Sequence, residues 1–353
     1  MNTRESVKNY YGKVLTKTSD LKTSCCTTTA SPTSEIRKLQ NNIHDDVAQR
    51  YFGCGLIYPN HLEGMRVLDL GCGTGRDVFV LSQLVGPDGF VVGVDMTDEQ
   101  LDVGRKHIQW HTERFGFPQP NVVFRQGFIE ELGMLDLSEG SFDVIVSNCV
   151  INLSTDKKSV FEGVFKLLAE GGEMYFSDIY ADRRVPEHLS QNAILYNECL
   201  GGALYQQDFK TLVQEVGFQD PRLVESNSIS LSEEELERIA GYINFHSETY
   251  RLFKIGALEP TREDYGQAVV YKGSNNHNSV FNLDKEHLLE RNRVTPVCGN
   301  TWSILHQSRF RQDFEFIGDF SNHFGSFDSR AIRASQTIAK PSGAKIQSTN
   351  TCC

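Results

Sequence analysis

The rhythm of apolar positions along the chain changes sharply at Met65. From there short apolar runs recur at intervals: RVLDL, FVVGVD, NVVFRQG, FDVIVSN and EMYFSDI. Runs of this length predict strands buried on both faces. Between them the spacing lengthens to that of a helix. Val78, Leu81 and Val85 fall at i, i+3 and i+7, and Phe161, Val164, Phe165 and Leu168 repeat the stripe ahead of Gly171-Gly172, a suitable C-cap. Parallel strands need crossover connections, so strand, helix, strand in succession predicts an α/β fold built on a doubly wound, mainly parallel sheet over residues 63–220.

The flanks read differently. Residues 1–62 predict an N-terminal cover: a short helix, a loop over the Ser/Thr-rich run TSCCTTTASPTS, and a helix over 36–52. Near Pro221 the alternation ends, and residues 221–320 predict a smaller mixed α+β domain. That domain is expected to contain a helix over SEEELERIAGYINFHSETYRLFK and a strand at AVVYKG. Residues 321–353 are rich in Ser, Gly and Asn and sparsely apolar, which predicts a disordered tail.

Charge and cysteine content narrow the function. The net charge is −11, from 46 acidic against 35 basic residues, with no Lys/Arg block, so nucleic acid is a poor partner. No stretch reaches the roughly 18 apolar residues that cross a bilayer, and the first residues lack the apolar core of a signal peptide. The expectation is a cytoplasmic chain with no membrane partner. There its nine cysteines meet a reducing pool and serve as ligands, nucleophiles or redox couples rather than structural disulfides.

The segment LDLGCGTGRD sets Asp69 at a strand end, then Gly71, Gly73 and Gly75, then a helix. Its G-x-G-x-G spacing is one residue shorter than the dinucleotide loop. An acid ahead of it would repel a pyrophosphate but suits the ammonium of a methionine. Asp95, at the end of the next strand, matches the acid that accepts hydrogen bonds from ribose hydroxyls. After the third strand, GFIEEL brings Ile129 and Glu130 to where an adenine would lie. A tight strand–helix turn alone would explain the glycines, but not the two acids. Over about residues 65–180 the chain resembles the Rossmann-like class I methyltransferases, which implies S-adenosylmethionine as cofactor, with Asp95 and Met96 framing its ribose and adenine.

The methyl acceptor is read from the loop SNCVINL after the fourth strand. Where methyltransferases acting on nucleic acids or glutamine carry Asn/Asp-Pro-Pro-aromatic, this chain has Asn148 followed by Cys149. The loop opens at the carboxyl end of the sheet, where ligands of doubly wound folds bind. A small buried hydrophobe explains Cys149 alone equally well. Cys54 in RYFGCG and Cys199 in NECLGGALY, however, also sit beside glycines and aromatics. With TSCCTTTASP, VLDLGCGTGRD, VVGVDMT, GGEMYFSDIY and ETYRLFK, these runs resemble the arsenite methyltransferase family over residues 7–254.

That resemblance implies that Cys54, Cys149 and Cys199 ligate trivalent arsenic, and that Cys26 is the redox partner of Cys54. Cys25 stands as the alternative to Cys26. Arsenic is soft and thiolates hold soft ions. Its lone pair carries no proton, so methyl transfer to it needs no general base. A thiol pair can return two electrons to the methylated arsenic by becoming a disulfide, which thioredoxin or glutathione then reduces. The implied acceptors are trivalent arsenicals, and the implied state is a monomer. Asn148 and Phe52 join the cofactor set. Phe52 stands where many members carry Tyr, and its ring still stacks on a sulfonium by cation–π attraction. Two other functions fit the same residues: a thiol or carbon methyltransferase whose cysteines only line the pocket, and an arsenic-binding sensor on a vestigial fold.

Other signals carry less. His107 and His111 lie four apart on a helix, but no acid or cysteine beside them completes a metal site. Cys72, between two loop glycines, reads as incidental, and Glu233, Glu234 and Glu235 as a solvated helix start. Cys352-Cys353 closes the chain without an assigned role.

Overall fold

A computed structural model describes residues 3–14, 32–51, 53–231, 238–273 and 278–328. Five strands run parallel: β1 (Arg66–Leu70), β2 (Phe90–Asp95), β3 (Val122–Gln126), β4 (Phe142–Asn148) and β5 (Leu168–Ala181). The short β6 (Leu204–Tyr205) pairs parallel with the end of β5, while β7 (Arg222–Ile229) and β8 (Phe245–Phe253) run antiparallel. The order across the sheet is β3-β2-β1-β4-β5-β8-β7. Every residue of β1 after Arg66 is buried, as expected of a strand covered on both faces. The parallel strands all deliver their carboxyl ends to one edge, and the order reverses between β1 and β4. That switch point is where a doubly wound sheet opens a crevice.

The sheet therefore continues past residue 220, and one expectation is overturned there. The stretch FHSETYRLF, read as part of a helix, is β8, paired with β5 over nine residues. Its charged residues obscured a strand buried on both faces, because they are buried and paired rather than solvated. Glu248 accepts hydrogen bonds from Gln206 (2.6 Å), Ser226 (3.1 Å) and Tyr250 (2.8 Å), and Arg251 meets Glu173 at 2.9 Å. The expected helix over 36–52 is two short ones, α2 (Ser34–Gln40) and α3 (Asp45–Ala48), with the His44 side chain capping the second. Ahead of them lies α1 (Thr3–Asn9).

Beyond the sheet, Val294–Pro296, Ala268–Tyr271 and Phe314–Ile317 form a three-stranded antiparallel sheet beside the helix Gly299–Gln307. Phe253, Val269, Tyr271, Phe281 and Phe310 belong to its core. The tail expectation also needs correction. Gly325–Ser326 pairs with Glu263–Asp264, and the Phe327 amide donates to the Arg262 carbonyl at 2.8 Å. Residues 321–328 are thus held by backbone bonds; from 329 onward the expected tail lies outside the described residues.

The two sheets meet at a buried carboxylate. Glu173 in β5 is fully buried, with Arg251 of β8 at 2.9 Å and Arg309, which follows the helix Gly299–Gln307, at 2.6 Å. Burial alone raises a carboxyl pKa, but these two guanidinium groups hold Glu173 below its ordinary value. Glu173→Ala strands two buried cations, which should cost about 3–5 kcal/mol in urea unfolding. A loss below about 1 kcal/mol would show that the carboxylate does not hold the sheets together.

Candidate active site

The glycine loop follows β1 and turns at once. Gly71 has φ +73°, and a Cβ there would lie 2.4 Å from a Val150 methyl, so only glycine fits. Gly75, at φ +86°, is the N-cap of α4 (Arg76–Val85). Asp95, at the end of β2, ties the loop down. Its Oδ2 accepts the Gly73 amide at 2.9 Å and its Oδ1 the Thr97 amide at 2.8 Å. Each oxygen keeps a lone pair, so ribose hydroxyls can still donate to it.

Asp69 behaves differently. It is 2% exposed, and its Oδ2 has no hydrogen-bond partner among the described residues. Burial pushes its carboxyl well above the ordinary range, and the nearby Asp77 and Asp95 carboxylates push the same way. An orphaned buried carboxylate facing a cavity is a seat for a cation. A methionine ammonium is such a cation, so the residues fit S-adenosylmethionine. The same cavity is lined by Gly71, Gly73 and Asp95 on the loop side and by Met96 and Ile129 opposite. Glu130 also lines it, and approaches Arg4 of α1 at 3.5 Å. Helix α1 and the residues after it lean over this cavity. Val7 is buried, and the Tyr11 carbonyl accepts the Gln100 side chain at 2.7 Å.

At its far end the cavity reaches Asn148 and Cys149. Cys149 has φ +58° and Cys199 φ +65°, left-handed conformations that are uncommon outside glycine. The Cys149 amide donates to the Ser177 carbonyl at 2.8 Å, and the Cys199 thiol donates to the Cys149 carbonyl at 3.1 Å. The two sulfurs and a carboxylate oxygen of Asp178 all lie within 4.8 Å of one another. Cys54 contributes no atom to that group. Its sulfur sits 3.6 Å from the Ser177 hydroxyl, and its backbone amide donates to Asn148 Oδ1 at 2.9 Å. All three cysteines belong to one buried apolar cluster with Ile179 and Leu200. Cys26 and Phe52 lie outside the described residues.

Two family models match the chain. Residues 61–217 match the model of a methyltransferase domain, and residues 265–353 match that of the arsenite methyltransferase C-terminal domain. The arsenite methyltransferase of Aquipseudomonas alcaligenes is 56% identical over 325 residues, covering 92% of this chain and 93% of that one. The chain belongs to the arsenite methyltransferase family. The human arsenite methyltransferase is 44% identical, with 88% of this chain and 83% of that one covered. Among solved structures, the arsenic(III) S-adenosylmethionine methyltransferase of Chlamydomonas reinhardtii is 43% identical. It superposes with a TM-score of 0.82 over 84% of this chain and all of that one.

Several residues of this arsenite methyltransferase site escape a reading of the sequence. Tyr51, beside Phe52, lines the cavity; its hydroxyl donates to the Gly55 carbonyl at 3.0 Å and accepts from Asn148 at 2.8 Å. The Arg76 guanidinium lies 3.7 Å from the Tyr51 ring centroid. Asp77 accepts hydrogen bonds from Tyr58 at 2.5 Å and from Asn148 at 3.3 Å. Lys157 is half-buried near the cysteine end, donating to the Ser154 carbonyl at 3.0 Å; partial burial lowers its pKa while Asp178 and Cys199 act to raise it. An aromatic neighbour of Phe52 was the one signal available for Tyr51. Asp77 and Lys157 read as ordinary helix-start residues. Cys72 is not a competing nucleophile: burial, then Asp95 and Asp69, push its thiol well above the ordinary pKa.

Asp69 gives this site a pH signature. An ammonium requires the ionised carboxylate, whereas the free protein keeps its proton up to a pH above the ordinary carboxylate range. S-adenosylmethionine affinity should therefore fall as pH drops from neutral into the mildly acid range. Asp69→Asn should weaken binding by about 10- to 100-fold and flatten that dependence. Calorimetry across pH tests both, and a wild-type affinity independent of pH would sink the assignment.

Proposed function

We propose that Cys54, Cys149 and Cys199 hold trivalent arsenic as a three-sulfur pyramid, for the S-adenosylmethionine-dependent arsenite methylation that membership of the family assigns to the chain. One observation carries this reading. Two buried cysteines from different segments are bent into positive φ, and their sulfurs lie within 4.8 Å of each other beside the end of the cofactor cavity that Cys149 lines. Such conformations cost about 1–3 kcal/mol each and persist where the surroundings impose them. Cys54 is the third ligand, on a loop that the Asn148 amide anchors beside Cys149.

The loading step balances without charge. Arsenous acid, As(OH)3, exchanges three hydroxyls for three thiols and releases three waters, leaving a neutral complex whose lone pair points away from the sulfurs. S-adenosylmethionine, when bound, supplies an electrophilic methyl group on a positively charged sulfur. Asp69 holds its ammonium, Asp95 its ribose, and Met96 and Ile129 flank its adenine. The arsenic lone pair carries no proton, so no side chain acts as base. The dry walls keep water from competing, and positioning of the acceptor supplies the catalytic advantage. Forming the arsenic–carbon bond breaks the bond from the sulfonium sulfur to the methyl group, releases S-adenosylhomocysteine and raises arsenic formally to the pentavalent state. The thiols of Cys26 and Cys54 return two electrons by closing a disulfide, which thioredoxin or glutathione reduces. Methylated and dimethylated arsenicals are the products, in a cytoplasmic detoxification.

The Ser variants separate the roles. Cys149→Ser and Cys199→Ser replace a soft ligand by a hard one and should abolish every methyl transfer. Cys26→Ser should block methylation of arsenite but spare methylarsenite, which arrives with one carbon ligand and needs fewer thiols. Product profiles with both substrates decide this. Activity of Cys149→Ser on methylarsenite, with Cys26→Ser inactive, would reverse the assignment.

Asn148→Ala tests the anchoring of Cys54. It leaves two buried amides without an acceptor, an expected cost of about 1–3 kcal/mol, or roughly 5- to 150-fold in arsenite affinity. The fluorescence of arsenite-titrated protein reports this. Arsenite affinity equal to wild type would show that the carboxamide does not set the Cys54 loop.

A further inference from the structure

On the far side of the Asp95 turn, α3 packs against α5 (Asp98–Lys106), and three side chains converge: His44, Asp46 and His107. We propose that they form a binding site for a borderline divalent cation such as Zn2+, Ni2+ or Co2+, separate from the cysteine site. One donor atom from each residue lies within 4.8 Å of the other two. His107 Nε2 is 3.2 Å from Asp46 Oδ2, and His44 Nδ1 is 3.9 Å from the same oxygen. With bonds of about 2.0–2.1 Å, two ligands of one tetrahedral or octahedral ion sit roughly 3–3.5 Å apart. His44 has to draw in by less than an ångström and to give up the bond that its Nδ1 accepts from the Asp46 amide at 3.2 Å.

The local chain brings the rings together without yet aiming them at one point. His44 caps α3 by accepting the Asp46 amide on Nδ1 and stacks on His107 with centroids 3.8 Å apart, so binding exchanges that cap for coordination and tilts the two rings. His107 ends α5 and is buried, so its ring has little freedom. His111, the partner that sequence spacing offers, is not a ligand here. Its Nδ1 donates to the His107 carbonyl at 2.8 Å and its Nε2 accepts the His44 amide at 3.1 Å. With both nitrogens committed, His111 buttresses the two ligands from beneath and stacks on Phe79. Two imidazoles and a carboxylate select borderline cations, whereas three sulfurs select soft ones. The exposed side of Asp46 leaves the remaining coordination positions to water.

A cation here would act on the segment leading to Cys54. Next to Asp46, the Val47 carbonyl accepts the Thr74 hydroxyl of the glycine loop at 3.0 Å. Coordination would add a second tether, from the same segment to the helix that follows Asp95.

The test uses Trp110, whose ring meets His44 edge-on with centroids 5.0 Å apart. In the full-length Trp302→Phe protein, Trp110 is the sole tryptophan. Titration with Ni2+, which quenches nearby indoles, should give saturable quenching. That quenching should disappear in His107→Gln, weaken about tenfold or more in Asp46→Asn, and persist in Cys149→Ser. If His107→Gln fails to fold by circular dichroism, Asp46→Asn decides, because its side chain is largely exposed. Quenching that does not saturate, that is unchanged in Asp46→Asn, or that is lost in Cys149→Ser would overturn the proposal.

Discussion

The carboxamide of Asn148 is the joint on which the site turns. It closes β4, one residue before Cys149, and its oxygen takes the amides of Cys54 and Gly55 at 2.9 and 3.2 Å. Its nitrogen donates to Tyr51 and to the Gly55 carbonyl. A loop without a regular ladder must satisfy its backbone elsewhere, and here one side chain does most of it. A carboxylate would offer acceptors but no donors, and an apolar residue neither. The choice of an amide at this position therefore couples two of the three cysteines through a single side chain.

The rest of the fold brings walls to that joint. Strand β5 runs far enough past its parallel neighbours to place Ser177 and Asp178 beside the cysteines. The antiparallel β8 then supplies Ser247, whose hydroxyl holds the Cys54 carbonyl at 2.8 Å. The strands added beyond the alternating part of the chain thus complete the pocket rather than decorate the sheet. They also carry Arg251, which shares Glu173 with Arg309, so the C-terminal region is fastened to the same strand that borders the cysteines.

What was legible in the sequence follows from where each signal is stored. Strands β1 to β5 announce themselves because full burial demands uninterrupted apolar runs. The glycine loop and Asp95 are legible because a local backbone requirement fixes both residue type and spacing. Strand β8 was hidden, since its Glu248 and Arg251 are buried only by virtue of partners far along the chain. The same holds for Tyr51, Asp178 and Lys157, whose importance comes from neighbours rather than from pattern. The positive φ of Cys149 and Cys199 is likewise a tertiary imposition, with no sign in residue type. His107 is a similar case: its helical spacing points to His111, whereas the acid it contacts is Asp46, from α3.

Burial also decides which ions such a pocket accepts. A divalent cation on three thiolates leaves a net negative charge, and an uncompensated charge in a dry site costs several kcal/mol. Arsenic delivered as a neutral hydroxide and held by three thiols leaves none. Half-buried Lys157 and buried Asp178 are one cation and one anion, so they do not tip that balance. Borderline cations that also favour thiolates are thereby disfavoured where the cysteines lie deepest, while the proposed His44–Asp46–His107 site, open to water through Asp46, carries a smaller penalty. In the proposed site, charge balance selects arsenic as much as the sulfurs themselves do.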